Sequence, residues 1–223
     1  MSWDQQVPLY NHGIPGIGNV GIIHKMLECD LKYSFTDEDL ILVVWSSWNR
    51  EDRYKDGRWL AGGNILNSMY YDKSFIEKYW SIENNIVKNS TAIINANRCF
   101  NINFQGHIAP IMSGKYDLLT DNEQKLFDLY KPSLPLDNIF STTIKSFNTT
   151  FAKVMRDNHP DVLEHLEYLN NNVYKTLGLT MSPNTVKVCD DIQRRMIQEI
   201  NPKLDDGEKT ILVKNIVNEV REI

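Results

Sequence analysis

With 223 residues and a formal charge of −5, the chain is long enough for one sizeable α/β domain with an appendage, and too short for two full domains. The acidic balance supplies no basic field for phosphate binding, which disfavours a nucleic-acid role. No stretch approaches the roughly 18 consecutive apolar residues of a membrane span. The polar start Met1-Ser2-Trp3-Asp4-Gln5-Gln6 has no signal-peptide core, and the chain reads as cytoplasmic, with no membrane partner. Cys29, Cys99 and Cys189 form no CxxC pair and read as small buried hydrophobes in a reducing compartment.

Taken in chain order, Val7 to Tyr10 forms a short extended run. It ends in Asn11-His12-Gly13-Ile14-Pro15-Gly16-Ile17-Gly18-Asn19, a segment dense in turn formers. Val20, Ile23, Met26 and Leu27 then recur at helical spacing, with Asn19 placed as the N-cap. Leu40 to Trp45 is continuously apolar and β-branched, the pattern of a strand buried on both faces of a parallel sheet. Together these elements predict a βαβ unit.

Ser46 to Tyr71 reads as a long polar, aromatic and basic loop, and a long loop is more often functional than a simple connector. Phe75, Tyr79, Ile82, Ile86 and Ile93 predict one long amphipathic helix. Asn101 to Ile108 alternates polar and apolar residues as a second strand, whose polar face must meet solvent or a cleft.

Pro110 to Ser146 is loop-rich, with a short helix near Glu123 to Tyr130, and is placed to cover a site. Val162, Leu166, Leu169, Val173 and Leu177 share one helix face, with Pro160 in the first turn. Val188, Ile192, Met196 and Ile200 define another helix after Ser182-Pro183, and Leu212, Ile216, Val220 and Ile223 a last one. The expected division is a domain over 1–178 and a helical appendage over 179–223, whose apolar faces would pack on the domain or form a homo-oligomer.

Three segments carry candidate chemistry. The glycines of Asn11-x-Gly13-x-x-Gly16 let backbone N–H groups approach a ligand beside a helix N-terminus, which suits an oxyanion, although an ordinary βα turn has the same residues. Trp45-Ser46-Ser47-Trp48-Asn49-Arg50 follows the apolar strand, at the edge where open α/β sheets bind ligands. There Asn49 can donate to developing charge, Arg50 and Arg53 can clamp an anion, and Trp48, Tyr54 and Trp59 can stack on a sugar ring. The competing reading is a surface ion-pair cluster of Arg50, Glu51, Asp52 and Arg53 over packed tryptophans. In Arg156-Asp157-Asn158-His159-Pro160, an aspartate two residues before a histidine can orient its imidazole as a general base, or Asp157 or Asn158 can merely cap the helix. A metal site from Asp157, His159 and His165 is disfavoured, because histidines six positions apart do not have the i, i+4 spacing that brings two imidazoles together.

These segments resemble blocks of the SGNH hydrolases, also called GDSL esterases and lipases. Asn11 to Gly16 is similar to the family's second block, which by position makes Gly16 an oxyanion-hole amide. Leu42 to Asn49 is similar to the third, where Ser46-Ser47-Trp48-Asn49-Arg50 stands in place of Gly-x-Asn-Asp and Asn49 takes the second oxyanion role. Asp157 to His165 is similar to the last block, with His159 as base and Asp157 as its partner. Over Val7 to Leu177 the resemblance implies a flavodoxin-like three-layer α/β/α sandwich with a parallel sheet, followed by C-terminal helices. It also implies hydrolysis of a small-molecule or carbohydrate ester with no metal or cofactor. No Gly-Asp-Ser nucleophile block occurs in the chain, so the first strand is expected to be missing. A fragment of a longer protein is one explanation, and a non-catalytic module that keeps the cleft to bind a glycan or partner is the alternative function.

Overall fold

The computed structural model describes residues 8, 10–67, 70–107, 119–136, 149–155 and 161–221. The chain is mixed α/β and divides into two compact units, Tyr10–Ser141 and Thr142–Ile223 together with Met1–Leu9. None of the helices among the described residues is long and apolar enough to cross a membrane.

The first unit begins with α1 (Asn19–Tyr33), followed by β1 (Ile41–Trp45). An antiparallel hairpin comes next, β2 (Arg50–Lys55) and β3 (Arg58–Asn64). Helices α2 (Lys73–Tyr79) and α3 (Ile82–Cys99) lead into β4 (Ile102–His107), which pairs in parallel with β1. Helix α4 (Asp121–Tyr130) follows, opened by a capping box between Thr120 and Glu123.

The β1–β4 pair bears out the parallel strand expected from Leu40 to Trp45. Its register slips by one residue between Ile41 and Leu42, and the Asn103 carboxamide repairs the ladder by accepting the Ile41 N–H at 2.7 Å. Gln105, on the polar face of β4, accepts the Trp45 indole N–H at 2.9 Å and pairs with Asn97. The strand's polar residues are thus spent on hydrogen bonds within the fold. Below them Val43, Trp45 and Trp48 pack against Ile86, Ile93 and Ala96 of α3 and Phe127 of α4, with Ile22, Ile23 and Met26 of α1 closing the core.

Two local expectations are corrected here. Ser46 to Tyr71 is not an irregular loop, because Asp56 and Gly57 take φ of 52° and 74°, the left-handed pair of a type I′ turn, and reverse the chain between Lys55 and Arg58. The strand Arg50-Glu51-Asp52-Arg53-Tyr54-Lys55 is polar and half-exposed, so hydrophobic alternation does not reveal it. The single helix expected from Phe75 to Ile93 is two. Trp80 is extended, and Ser81 starts α3 by accepting the Asn84 N–H at 3.0 Å, as Asp72 starts α2 by accepting that of Phe75 at 2.7 Å.

The second unit contains α5 (Thr149–Met155), α6 (Val162–Tyr168), α7 (Pro183–Glu199) and α8 (Asp206–Arg221). Asp161 caps α6 in a capping box with Glu164, so the helix starts after residue 160, and a π-helical stretch, Leu169–Tyr174, continues it. Ser182 and Pro183 open α7 as N-cap and first-turn proline, as expected. Phe151 and Val154 of α5 share a core with Ile192, Met196 and Ile200 of α7 and its neighbour, and with Ile216 and Val220 of α8. The apolar faces of the last two helices therefore meet each other and α5. Arg195 ties α7 to α8 by bridging Glu199 at 2.6 Å and Glu219 at 2.7 Å. Gln193 of α7 accepts the Leu163 N–H at 3.0 Å, so α6 groups with these helices, upstream of the 178/179 boundary drawn from the sequence.

Candidate functional site

The carboxyl ends of β1 and β4 finish side by side, with Trp45 opposite His107. In parallel sheets this edge is where ligands bind, because strand-to-helix loops and helix N-termini gather there.

The glycine turn before α1 reaches this edge through Asn19. Its carboxamide Oδ1 accepts the Ser46 N–H at 2.7 Å, and its Nδ2 donates to the Ser46 carbonyl at 3.1 Å and to Asn89 Oδ1 at 2.9 Å. Asn89 in turn donates to the carbonyls of Trp48 at 3.2 Å and Asn85 at 2.8 Å. Asn85 donates to Asn49 Oδ1 at 3.5 Å, leaving Nδ2 as the donor end of the Asn49 side chain. Asn19, Asn85 and Asn89 are buried, so each bond forms where water cannot substitute.

Asn19 is therefore not the N-cap expected from the sequence. That position is Gly18, which has no side chain, and the hairpin supplies the missing acceptor. The Asp52 carboxylate accepts the Gly18 N–H at 2.8 Å and the Gly21 N–H at 3.0 Å. A Cβ at either glycine would stand under 3.0 Å from Asp52 Oδ2, so glycine is needed for this approach. Burial pushes the Asp52 carboxyl up from its ordinary value, and the two amide donors pull against that shift. The helix N-terminus expected to hold a ligand oxyanion is thus occupied at Gly18 and Gly21 by the protein's own carboxylate.

Gly16 sits just ahead, with φ of +78°, and its carbonyl accepts the Gly63 N–H at 3.2 Å. Arg50 is half-buried and donates to the Ile17 carbonyl at 3.3 Å, and the Asn49 carbonyl accepts the Ile65 N–H at 2.8 Å. Gly16, Asn49 and Arg50 are thereby brought to one junction of glycine turn, hairpin root and strand end. Burial lowers the Arg50 pKa against the pull of nearby Asp52. The ion-pair cluster expected on this hairpin forms only in part. Lys88 of α3 pairs closely with Glu51, and Arg53 lies 3.8 Å from the same carboxylate.

The tryptophans do not form the expected stacking surface. Trp48 is 1% exposed and packs edge-on against Phe127 at 6.1 Å, so its ring is part of the core and not a ligand contact. Trp59 lies on the hairpin against His24 at 5.1 Å and Tyr54 at 5.3 Å, with neighbours different from those of Trp48 and Arg50. Asp157 and His159 fall outside the described residues, as do the Val7 strand apart from Pro8 and Tyr10 and most of the 110–146 cover. Of the cysteines, Cys29 is buried as expected, whereas Cys99 is exposed at the end of α3.

Asn85 and Asn89 are missing from the sequence reading, and Asp52 enters it only as a member of a surface ion-pair cluster. The two asparagines were detectable, since they fall four apart on the face that carries Ile82, Ile86 and Ile93, and amides on an apolar helix face need partners. Asp52 carried no such signal, because an acidic residue in a charged strand looks solvated.

His107 is buried, and its Nε2 lies 2.5 Å from the Pro135 carbonyl, to which the neutral ring donates. Burial lowers its pKa from the ordinary imidazole value of 6.5, against the pull of that carbonyl. A depressed imidazole binds protons more weakly folded than unfolded, so its contribution is intact above pH 6.5 and is lost as pH falls toward the folded value. In His107→Gln, which retains a donor, this slope is expected to vanish. Urea unfolding of both proteins from about pH 8 to about pH 5 should show wild type losing its advantage below pH 6.5, and a constant difference would contradict the assignment.

No family model, curated protein or solved structure matches the chain in comparisons with known proteins.

Proposed function

We propose that the chain is an SGNH-type ester hydrolase domain acting on an ester or acetyl group carried by a carbohydrate. Its sheet would be the flavodoxin-like three-layer sandwich, of which β1 and β4 are two neighbouring strands. The observation that supports this reading is the meeting of the glycine turn and the post-β1 loop at the carboxyl edge of parallel strands, fastened by Asn19 to Ser46. In this reading the Gly16 N–H and Asn49 Nδ2 stabilise the tetrahedral oxyanion, and a donor of this kind is worth about 2.7–4 kcal/mol. By the resemblance His159, oriented by Asp157, is the base, and since the chain carries no Gly-Asp-Ser serine the hydroxyl it deprotonates is that of a water molecule, whose oxygen bonds to the acyl carbon while the proton passes to the leaving alkoxide.

A second reading is a non-catalytic module that keeps the cleft and binds glycan. It is favoured by the Asp52 carboxylate at the α1 N-terminus, which repels a second negative charge there.

Hydrolysis of p-nitrophenyl acetate separates the two. The hydrolase reading expects turnover that falls to background in His159→Ala. Equal rates in the two proteins would remove His159 from catalysis, and glycan binding without turnover would favour the module.

A further inference from the structure

Away from Trp48 and Trp59, the hairpin and the break between α2 and α3 border an open cavity of about 550 Å³, within the ~300–1,000 Å³ range of small-molecule sites. Phe75, Tyr79 and Trp80 line it on one side, and Glu51, Arg53 and Asn84 add polar groups. The aromatic rings form a ladder, with Tyr71 to Phe75 at 5.0 Å and Phe75 to Tyr79 at 4.9 Å. The Arg53 guanidinium lies 5.3 Å from the Phe75 ring centre, extending the flat surface with a cation. Tyr79 lines the cavity, is 56% exposed and carries the Lys78 ammonium 5.0 Å from its ring centre.

We propose that this cavity is a carbohydrate-binding site in which a sugar ring stacks on Tyr79 and Phe75 while its hydroxyls meet Glu51, Asn84 and the Trp80 indole. The occupant must present an apolar face to the aromatics and hydrogen-bonding edges to the rest, as a pyranose does. Charge narrows the choice further. Lys88, Glu51 and Arg53 alternate in sign, so a strong anion meets Glu51 and a strong cation meets Arg53 and Lys88, while a neutral polyhydroxylated ring satisfies both. A wholly apolar ligand would strip water from Glu51 and Arg53 without replacing its hydrogen bonds. The Trp80 Nε1 is buried and has no hydrogen-bond partner among the described residues, and a ligand hydroxyl would give it one. The cavity adjoins the junction described above, since Asn84 precedes Asn85, the partner of Asn49. The site thus supplies the substrate class of the proposed hydrolase, and rests on that reading only for the ester.

Calorimetric titration of the full chain with oligosaccharides of glucose, xylose and N-acetylglucosamine tests it. At least one series is expected to bind, with affinity falling about tenfold or more in both Tyr79→Ala and Trp80→Phe. Tyr79 is largely exposed and Trp80→Phe keeps an aromatic ring, so both variants are expected to retain the wild-type circular dichroism. Absence of binding for every series, or equal affinity in wild type and both variants, would overturn the proposal. Saccharide binding that depends on Tyr79 and Trp80, without ester turnover, supports this site and removes the hydrolase reading. Turnover of p-nitrophenyl acetate with no saccharide binding does the reverse.

Discussion

Trp48→Ala is expected to cost about 3–5 kcal/mol of folding free energy, the range for removing a large aromatic from a packed core. Trp48 is buried among Val43, Trp45, Ile86 and Phe127, and deletion of its ring leaves a hole bordered by side chains of β1 and of two helices. The edge-on contact with Phe127 is lost as well, and such aromatic pairs contribute about 0.5–1.5 kcal/mol beyond their area. Trp48→Phe should cost less, because it keeps most of the ring and removes an indole N–H that has no partner among the described residues. Urea unfolding reads both: the midpoint should fall far in the alanine variant, or folding be lost, and fall modestly in the phenylalanine variant. If alanine left the midpoint unchanged, Trp48 would belong on the surface after all.

The second large effect is expected at Asn19. Truncation to alanine leaves the Ser46 N–H, the Ser46 carbonyl and Asn89 Oδ1 without their partner in a place sealed from water. A buried polar group stranded in this way costs about 1–3 kcal/mol, so three of them set an expected loss of roughly 3 kcal/mol or more. Asn19→Asp is expected to be no rescue. It still accepts from Ser46, but places a carboxylate against the Ser46 carbonyl and Asn89 Oδ1, which both need a donor. Because Asn19 and Asn89 share one bond, a double-mutant cycle should show coupling of about 0.5–3 kcal/mol. Strict additivity would mean that the two amides act independently and that the network does not hold the loop. In the same variants ester turnover, where present, should fall with the order of the Ser46 to Asn49 segment.

Much of the fold was legible because its signals are local. The apolar run at β1, the alternation at β4, the short helix ending at Tyr130 and the Ser182-Pro183 start of α7 each follow from groups within a few residues of one another. Even the hairpin carried such a signal, Asp56-Gly57, though its charged strands hid it from a search for hydrophobic pattern. Of the site, the gathering of Gly16, Asn49 and Arg50 at one strand end was foreseeable from chain order, since loops that follow neighbouring parallel strands share the carboxyl edge.

By itself, then, the sequence determined β1, β4, α4 and the start of α7, and that the glycine turn and the loop after β1 meet at one edge. Tertiary structure alone decided that Trp48 points into the core, that Asp52 caps a helix 31 to 34 residues upstream, and that Asn19 serves Ser46 rather than its own helix. The reason is physical. A turn or a cap is settled by hydrogen bonds that close within one short segment, whereas a buried amide, carboxylate or indole has several partners of equal chemistry along the chain. Only the packing of distant segments determines which of them lies within reach.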